Sequence, residues 1–341
     1  MQPIWQIIRK AILLFFDALI WIATTLFFAW SCCAVYFLEY LPPILRVILA
    51  IMFGITMLGM LIYPNDFRRS RSIIAGACFA IFIATLFVRP SNERQWAKDH
   101  AQVAEVTIKE GTATINNYRH CEYRSETDYD AKFYSKSFPL EQIESVWFIV
   151  QKFSPLEGLA HVFLSFGLVP GTDPEYFSVS VEIRREDQES YNPFRGLFRT
   201  YELTHVVGDE RDLIGVRTVH RPEDRLFMYR VNATPQQAQQ LFVEFANRIE
   251  SLNASPQFYN SLLNNCANGI TRRAYKLTPE PINWLDPRIV LPGYADSFAF
   301  EHGLIGDGSQ SFEEFQQASR IDIIARETGL VDDFSQQIRG Q

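Results

Sequence analysis

The sequence predicts an α+β domain set behind three membrane-crossing helices, and three observations carry that expectation. Apolar residues dominate the stretch from Ala11 to Val88, whereas Arg89 to Gln341 has the mixed composition of a water-soluble domain. Within this second part, short apolar or alternating runs bounded by turn residues come first. Helical periodicity follows them, the order expected of one antiparallel sheet with helices packed beside it. The 341 residues suffice for two domains, a membrane anchor over 1–89 and an extracytoplasmic domain over 90–341.

Three apolar stretches run from about Ala11 to Leu38, Pro43 to Tyr63 and Ser72 to Val88. A helix needs roughly 17–25 residues to cross the hydrocarbon core, so each qualifies. The first is too long for a signal-peptide core and lacks a small-residue cleavage site, so it is read as retained. Asp17 inside it is costly in hydrocarbon unless it is paired or near the interface. Arg9 and Lys10 precede the first stretch, and Arg68, Arg69 and Arg71 fill the link between the second and third. The link holding Glu39 and Tyr40 has only Arg46 nearby. The positive-inside rule then places the N-terminus in the cytoplasm and everything after Val88 outside, which in a bacterium is the periplasmic side of the inner membrane.

Beyond Val88, the run from Val103 to Ile115 reads as a β-hairpin turning at Glu110-Gly111. Further strands are predicted at Lys132–Ser137, Ser145–Gln151, Leu159–Leu168, Tyr176–Arg184, Leu203–Val207 and Phe227–Val231. Thr234 is a good N-cap and Pro235 suits a first helical position. Behind them Ala238, Leu241, Phe242, Phe245, Ile249 and Leu252 recur at helical spacing. A second helix is expected from about Asn265 to Tyr275. The chain is rich in Pro and Gly after Pro279 and ends in a polar helix near Phe312–Arg326.

The net charge of −7, with no Lys/Arg stripe interleaved with aromatics, argues against a nucleic-acid partner. Of five cysteines, Cys32, Cys33 and Cys78 lie in apolar segments, leaving Cys121 and Cys266 in the soluble part. No CxxC pair or Cys/His zinc spacing occurs, so neither metal nor cofactor is expected.

Cys266 follows Asn264 and Asn265, either a natural N-cap, and so falls in the first turn of a helix. Free N–H groups at that end favour thiolate and suit an oxyanion. The competing reading is a buried structural thiol, or a disulfide with Cys121. His161 opens the strand His161-Val-Phe-Leu-Ser-Phe-Gly, sharing one face with Phe163 and Ser165. It is either a base or a satisfied strand residue. His205 occupies a similar strand, whereas His100, His120, His220 and His302 lie in polar or loop-like surroundings. Ser178, Ser180, Glu182 and Arg184 share a strand face. If that strand returns beside His161, Glu182 can orient the imidazole, the alternative being a surface ion pair.

Six segments together resemble the Lnb-type periplasmic domain family: Thr114–Arg119, Tyr123–Asp130, Ala160–Gly167, Ser180–Glu186, Gly208–Ile214 and Tyr259–Cys266. The resemblance runs from about Thr107 to Leu304 and does not cover the apolar helices. It implies a circularly permuted papain-like fold, similar in design to lecithin:retinol acyltransferase, in which the histidine strand precedes the cysteine helix. The family's namesake transfers an acyl chain from a phospholipid to the N-terminal cysteine amine of a bacterial lipoprotein. Carried over by motif, Cys266 is the nucleophile and His161 the base, while Glu182 as third residue rests on strand position alone. A phospholipid donor and a diacylated lipoprotein acceptor are the implied partners. Arg184, Arg185 and Arg211 are candidate phosphate contacts, and Asn265 a further substrate-side residue. In the namesake the membrane helices follow the periplasmic domain, whereas here three precede it, so a shared thiol-acyl mechanism is the safer implication than a shared acceptor. The alternatives are a thiol amidase or peptidase of the envelope, and a non-catalytic scaffold with a Cys121–Cys266 disulfide.

Overall fold

The computed structural model describes all residues except 1–3, 39–40, 64–65, 188, 276–280 and 341. The link at Glu39 and Tyr40, the residue Pro279 and the side chain of Arg68 therefore lie outside the described residues. The chain divides into two units, Met1–Arg89 with Leu197–Thr200, and Pro90–Gly196 with Tyr201–Gln341.

The first unit holds α1 (Ile4–Tyr36), α2 (Pro43–Ile62) and α3 (Phe67–Leu86). Within them Ile8–Tyr36, Pro43–Ile62 and Arg69–Leu86 have mean hydropathy 2.2, 2.3 and 1.4, each long and apolar enough to cross a membrane. Their large side chains remain mostly exposed around a small core of Met57, Ile74 and Cys78, which suits helices that meet lipid rather than water. The hydroxyls of Thr24, Ser31 and Thr85 bond back to the carbonyls of Ile20, Phe27 and Phe82, as polar groups without water must. Asp17 is not isolated: Arg71 donates to its carboxylate at 2.7 Å, joining α1 to α3.

The second unit is α+β, built on an eight-stranded sheet of β1 (Glu105–Lys109), β2 (Thr112–Tyr123), β3 (Tyr129–Pro139), β4 (Ile143–Lys152), β5 (His161–Leu168), β6 (Tyr176–Arg184), β7 (Glu202–Gly208) and β8 (Arg225–Arg230). The spatial order is β1-β2-β7-β6-β5-β4-β8, with β3 also on β2. The β1–β2 hairpin turns at Glu110 (φ 48°) and Gly111 (φ 78°), two consecutive left-handed residues that match the twist of the strands. All pairings are antiparallel except one: β2 meets β7 parallel at Arg119↔Gly208, so the sheet is mixed rather than wholly antiparallel. A Cβ on Gly208 would collide with the Arg119 carbonyl oxygen, which is why the crossing takes glycine.

Helices cover both faces. α4 (Glu210–Leu213) and α5 (Gly215–Thr218) precede β8, and α6 (Pro235–Ala254) and α7 (Cys266–Ala274) follow it. The chain ends in α8 (Ala295–Glu301), α9 (Phe312–Ala318), α10 (Asp322–Thr328) and α11 (Phe334–Gln337). The single helix expected at Phe312–Arg326 is thus two, broken where Arg320 bridges to Phe227. α6 starts in a Thr234/Gln237 capping box and buries Leu241, Phe242, Phe245, Ile249 and Leu252, each contributing roughly 1.5–3 kcal/mol. With α7 it forms the larger core, against Val162, Leu164, Val179 and Val181. The opposite face buries Phe163, Ile149 and Met228 against Leu213, Ile214, Ala325 and Phe334.

Candidate active site

β5 and β6 pair from Gly167↔Tyr176 to Phe163↔Ser180, where the pairing stops. The same register continued by two residues sets Glu182 opposite His161. Residues past the last pair on both strands, Ala160, His161, Val181, Glu182 and Ile183, line an open cleft. Cys266 lines the same cleft, together with Tyr191, Tyr259, Gln151, His100, Arg185, Arg217 and Arg221.

Cys266 is the first residue of α7, and Asn265 is the cap. The Asn265 side chain accepts from the Asn268 N–H at 3.0 Å, and the Asn268 side chain accepts in return from the Asn265 N–H at 3.0 Å. The Asn265 amide also donates to the carbonyls of Ser261 (2.8 Å) and Val290 (3.0 Å), so its polar atoms hold the helix start. The thiol lies near the N–H groups of Val162 and Ala267, which pull its pKa down, but burial pushes it further the other way, up to about 11. The lowering expected from the helix end is therefore overridden: Cys266 is only 2 % exposed, and desolvating a thiolate outweighs the backbone N–H dipoles around it.

His161 Nε2 lies 2.7 Å from Ser180 Oγ and 3.8 Å from Glu182 Oε1. Its ring stacks at 23° on Phe163. Burial, with Arg217 nearby, lowers its pKa to about 3, so the imidazole is neutral at physiological pH. Glu182 Oε1 accepts from Arg217 at 2.7 Å, and its other oxygen is 3.9 Å from His100 Nε2. Despite the desolvation cost, the Arg217 guanidinium, with Arg119 behind it, holds its pKa well below the usual carboxylate range. Arg217 is itself anchored by Gln151 Oε1 (2.9 Å) and the Leu213 carbonyl (2.7 Å), and Gln151 donates to Asp224 at 2.5 Å.

His161 and Cys266 come to the cleft from opposite faces of the sheet. Alternation puts His161 with Phe163, in the core beside α4 and α5, while Cys266 packs with Val162 and Leu164 in the core beneath α6 and α7. Among the described residues no side-chain hydrogen bond joins the sulfur to the ring. Ser180, not Glu182, is the nearer partner of the imidazole.

Arg185 lines the cleft and donates to Asp99 at 2.8 Å. Arg184 does not line it: its guanidinium bonds the carbonyls of His100, Asn92 and Ala101 and lies 4.2 Å over the Trp96 ring. Arg211 is held by Asp209 and Asp332 at α4, also away from the cleft lining. Cys121 and Cys266 are both free thiols, so the disulfide of the scaffold alternative is not formed. His205 faces α6 against Phe245. His100 lies in polar surroundings, as its sequence setting indicated, but is buried there between Asp99 (3.6 Å) and Glu182. Ser180, the buried partner of His161, and Arg217 and Tyr259, which line the cleft, are residues that sequence reasoning passed over. The signals were present for two of them: Ser180 is two residues before Glu182 on one face, and Tyr259 opens the segment that ends in Cys266. Among the described residues no group of three or more His, Cys, Asp or Glu side chains is placed to hold a metal.

A histidine strand laid down before a capped cysteine helix brings a thiol and an imidazole to one polar cleft of an α+β domain. The family comparison agrees: residues 129–291 match the Lnb N-terminal periplasmic domain, so this chain carries an Lnb-type periplasmic domain behind three apolar helices. No curated protein and no solved structure matches the chain.

Proposed function

We propose that the protein is a membrane-anchored cysteine acyltransferase that moves an acyl chain from a phospholipid through a Cys266 thioester to an amine. The observation that carries this reading is the shared cleft of Cys266 and His161 at the parting of β5 and β6. The N-terminus is cytoplasmic in this reading, with Arg9, Lys10, Arg69 and Arg71 on the cytoplasmic side and the α+β unit in the periplasm.

The state of the two groups sets the chemistry. With the thiol near 11 and the imidazole near 3, the resting pair is neutral thiol and neutral imidazole, not thiolate and imidazolium. Ser180 engages Nε2 of His161, which leaves Nδ1 to serve as base. As the sulfur attacks the ester carbonyl, its proton passes to Nδ1, directly or through one water, once substrate draws the two groups into reach. The S–C bond forms, the ester C–O bond breaks, and the imidazolium returns its proton to the departing lysolipid oxygen. The N–H groups at the start of α7 stabilise the oxyanion. An acceptor amine then attacks the thioester, the C–S bond breaks, and the amine proton passes through His161 back to the sulfur. Glu182 acts on the imidazolium by charge and fixes Arg217, while Arg185 and Arg221 offer contacts to the donor phosphate. Tethering both partners to one membrane raises their effective concentration, which suits a lipid donor.

The test is transfer of a labelled acyl chain from phosphatidylethanolamine to a diacylated N-terminal-cysteine lipopeptide by the full-length protein. Activity that Cys266→Ala abolishes and His161→Ala lowers by about 10²–10⁴-fold supports the reading. Amide hydrolysis with no acyl transfer would favour an envelope amidase, and transfer by Cys266→Ala would sink the nucleophile assignment.

A further inference from the structure

A second, narrow cavity lies on the α6/α7 side of the sheet, and the mechanism above does not use it. Its walls include Val162 and Leu164 of β5, Ala267 and Ile270 of α7, and Phe298 and Ala299 of α8. Two of these residues adjoin the active site in sequence: Ala267 follows Cys266, and Val162 follows His161. The N–H groups of the same two residues act on the Cys266 sulfur. Val162 and Ala267 thus belong both to the surroundings of the Cys266 sulfur and to the wall of this cavity, while Cys266 itself lines the polar cleft.

The cavity makes little demand for polar partners. Thr271 donates its hydroxyl to the Ala267 carbonyl at 2.9 Å, and Arg288 is taken up by Asp286 and Glu301, its guanidinium 5.4 Å over the Phe298 ring. Otherwise the lining is almost entirely aliphatic and aromatic, so water gains little by entering and a hydrocarbon displaces nothing strongly held. The contrast with the first cleft is chemical: that one is lined by His, Arg, Glu and Tyr side chains. We infer that the two cavities divide one substrate between them, the polar cleft taking the headgroup and ester and the apolar cavity taking the hydrocarbon chain of the acyl group carried on Cys266. This inference rests on the thiol acyl-transfer reading and adds to it a chain-binding site that selects long saturated or unsaturated acyl groups over short ones. Each methylene buried raises affinity roughly fourfold, so a cavity of this kind discriminates chain length steeply until it is full.

The experiment uses the full-length protein in nanodiscs containing phosphatidylethanolamine whose acyl chain ends in a photoreactive diazirine. Intact mass reads thioester formation on Cys266, and peptide mapping after illumination reads where the chain end lies. Thioester together with crosslinks in segments 270–275 and 295–305 is the expected result. Ala299→Phe, which fills the cavity from α8, is expected to lower those crosslinks at least tenfold while acetylation of Cys266 by p-nitrophenyl acetate persists. A thioester with crosslinks only to Phe153, Tyr191 or Arg221 would overturn the chain site and leave the thiol reading standing. Crosslinks in 295–305 without any thioester would support the chain site and remove the thiol reading. Neither signal would remove both. Should Ala299→Phe also lose acetylation, the Ile270→Phe variant supplies the same comparison from α7.

Discussion

The pH dependence of Cys266 alkylation tests the resting state of the site without knowledge of the substrate. With the thiol pushed up to about 11 by burial, the thiolate fraction at neutral pH is on the order of one in ten thousand and grows tenfold per pH unit. The rate of iodoacetamide modification of Cys266, followed by peptide mass spectrometry in detergent-solubilised protein, is therefore expected to rise with near-unit slope from pH 7 to 10. Mapping by peptide separates Cys266 from Cys121, whose thiol burial also pushes well above the ordinary range. Because the imidazole is neutral at all these pH values and no hydrogen bond ties it to the sulfur, His161→Ala is expected to move the curve by less than about half a unit. A plateau of fast alkylation reaching below pH 6, lost in His161→Ala, would show a preformed thiolate–imidazolium pair and refute the neutral-pair mechanism.

Two other outcomes follow from the buried charges. Glu182→Ala leaves Arg217 without its carboxylate in a buried setting and is expected to destabilise the α+β unit by about 3–5 kcal/mol, seen as a lowered unfolding temperature, with Glu182→Gln less severe. An unchanged midpoint for Glu182→Ala would show that the pair is not a structural element. Acid stability follows His100, His161 and His205, whose burial lowers their pKa values to about 4, 3 and 3. The unfolded chain protonates each near 6.5, so it binds more protons than the folded one below that pH. Stability is then expected to be level above about pH 6.5 and to fall toward pH 4, by up to about 1.4 kcal/mol per pH unit for each histidine. Chemical denaturation at pH 7.5, 6 and 5 measures it, and a stability that rises as pH falls over that interval would contradict the burial of these rings as neutral groups.

Local patterning made much of the fold legible. Alternation located the strand Tyr176–Arg184 at both ends, Glu110-Gly111 marked the hairpin turn, and Thr234-Pro235 marked the start of α6. The parallel contact of β2 with β7 has no local signature, because it joins residues as far apart in sequence as Arg119 and Gly208. At the site, sequence brought Cys266, His161 and Glu182 to notice through residue type and the motifs they sit in. It did not reveal that Ser180 is the nearer partner of His161, nor that Glu182 shares itself with Arg217 and His100. The partners of Glu182 come from α5 and the segment before β1, which the chain carries in from 35 and 82 residues away (217 − 182 and 182 − 100). The helix-end argument for a depressed thiol pKa failed for the same reason: it counts the dipole, which is local, and misses burial, which is not. Alternation already set His161 and Val162 on opposite faces, but only the packed structure tells which face α7 covers.

The central claim is that an acyl group resides on Cys266, and intact-mass analysis of the purified full-length protein after exposure to mixed phospholipids measures it most directly. The account predicts a mass increase of one acyl chain on the wild type, released by neutral hydroxylamine as a thioester is, and none on Cys266→Ala. An unmodified wild type that remains competent for p-nitrophenyl acetate, or an equal mass increase on Cys266→Ala, would contradict it.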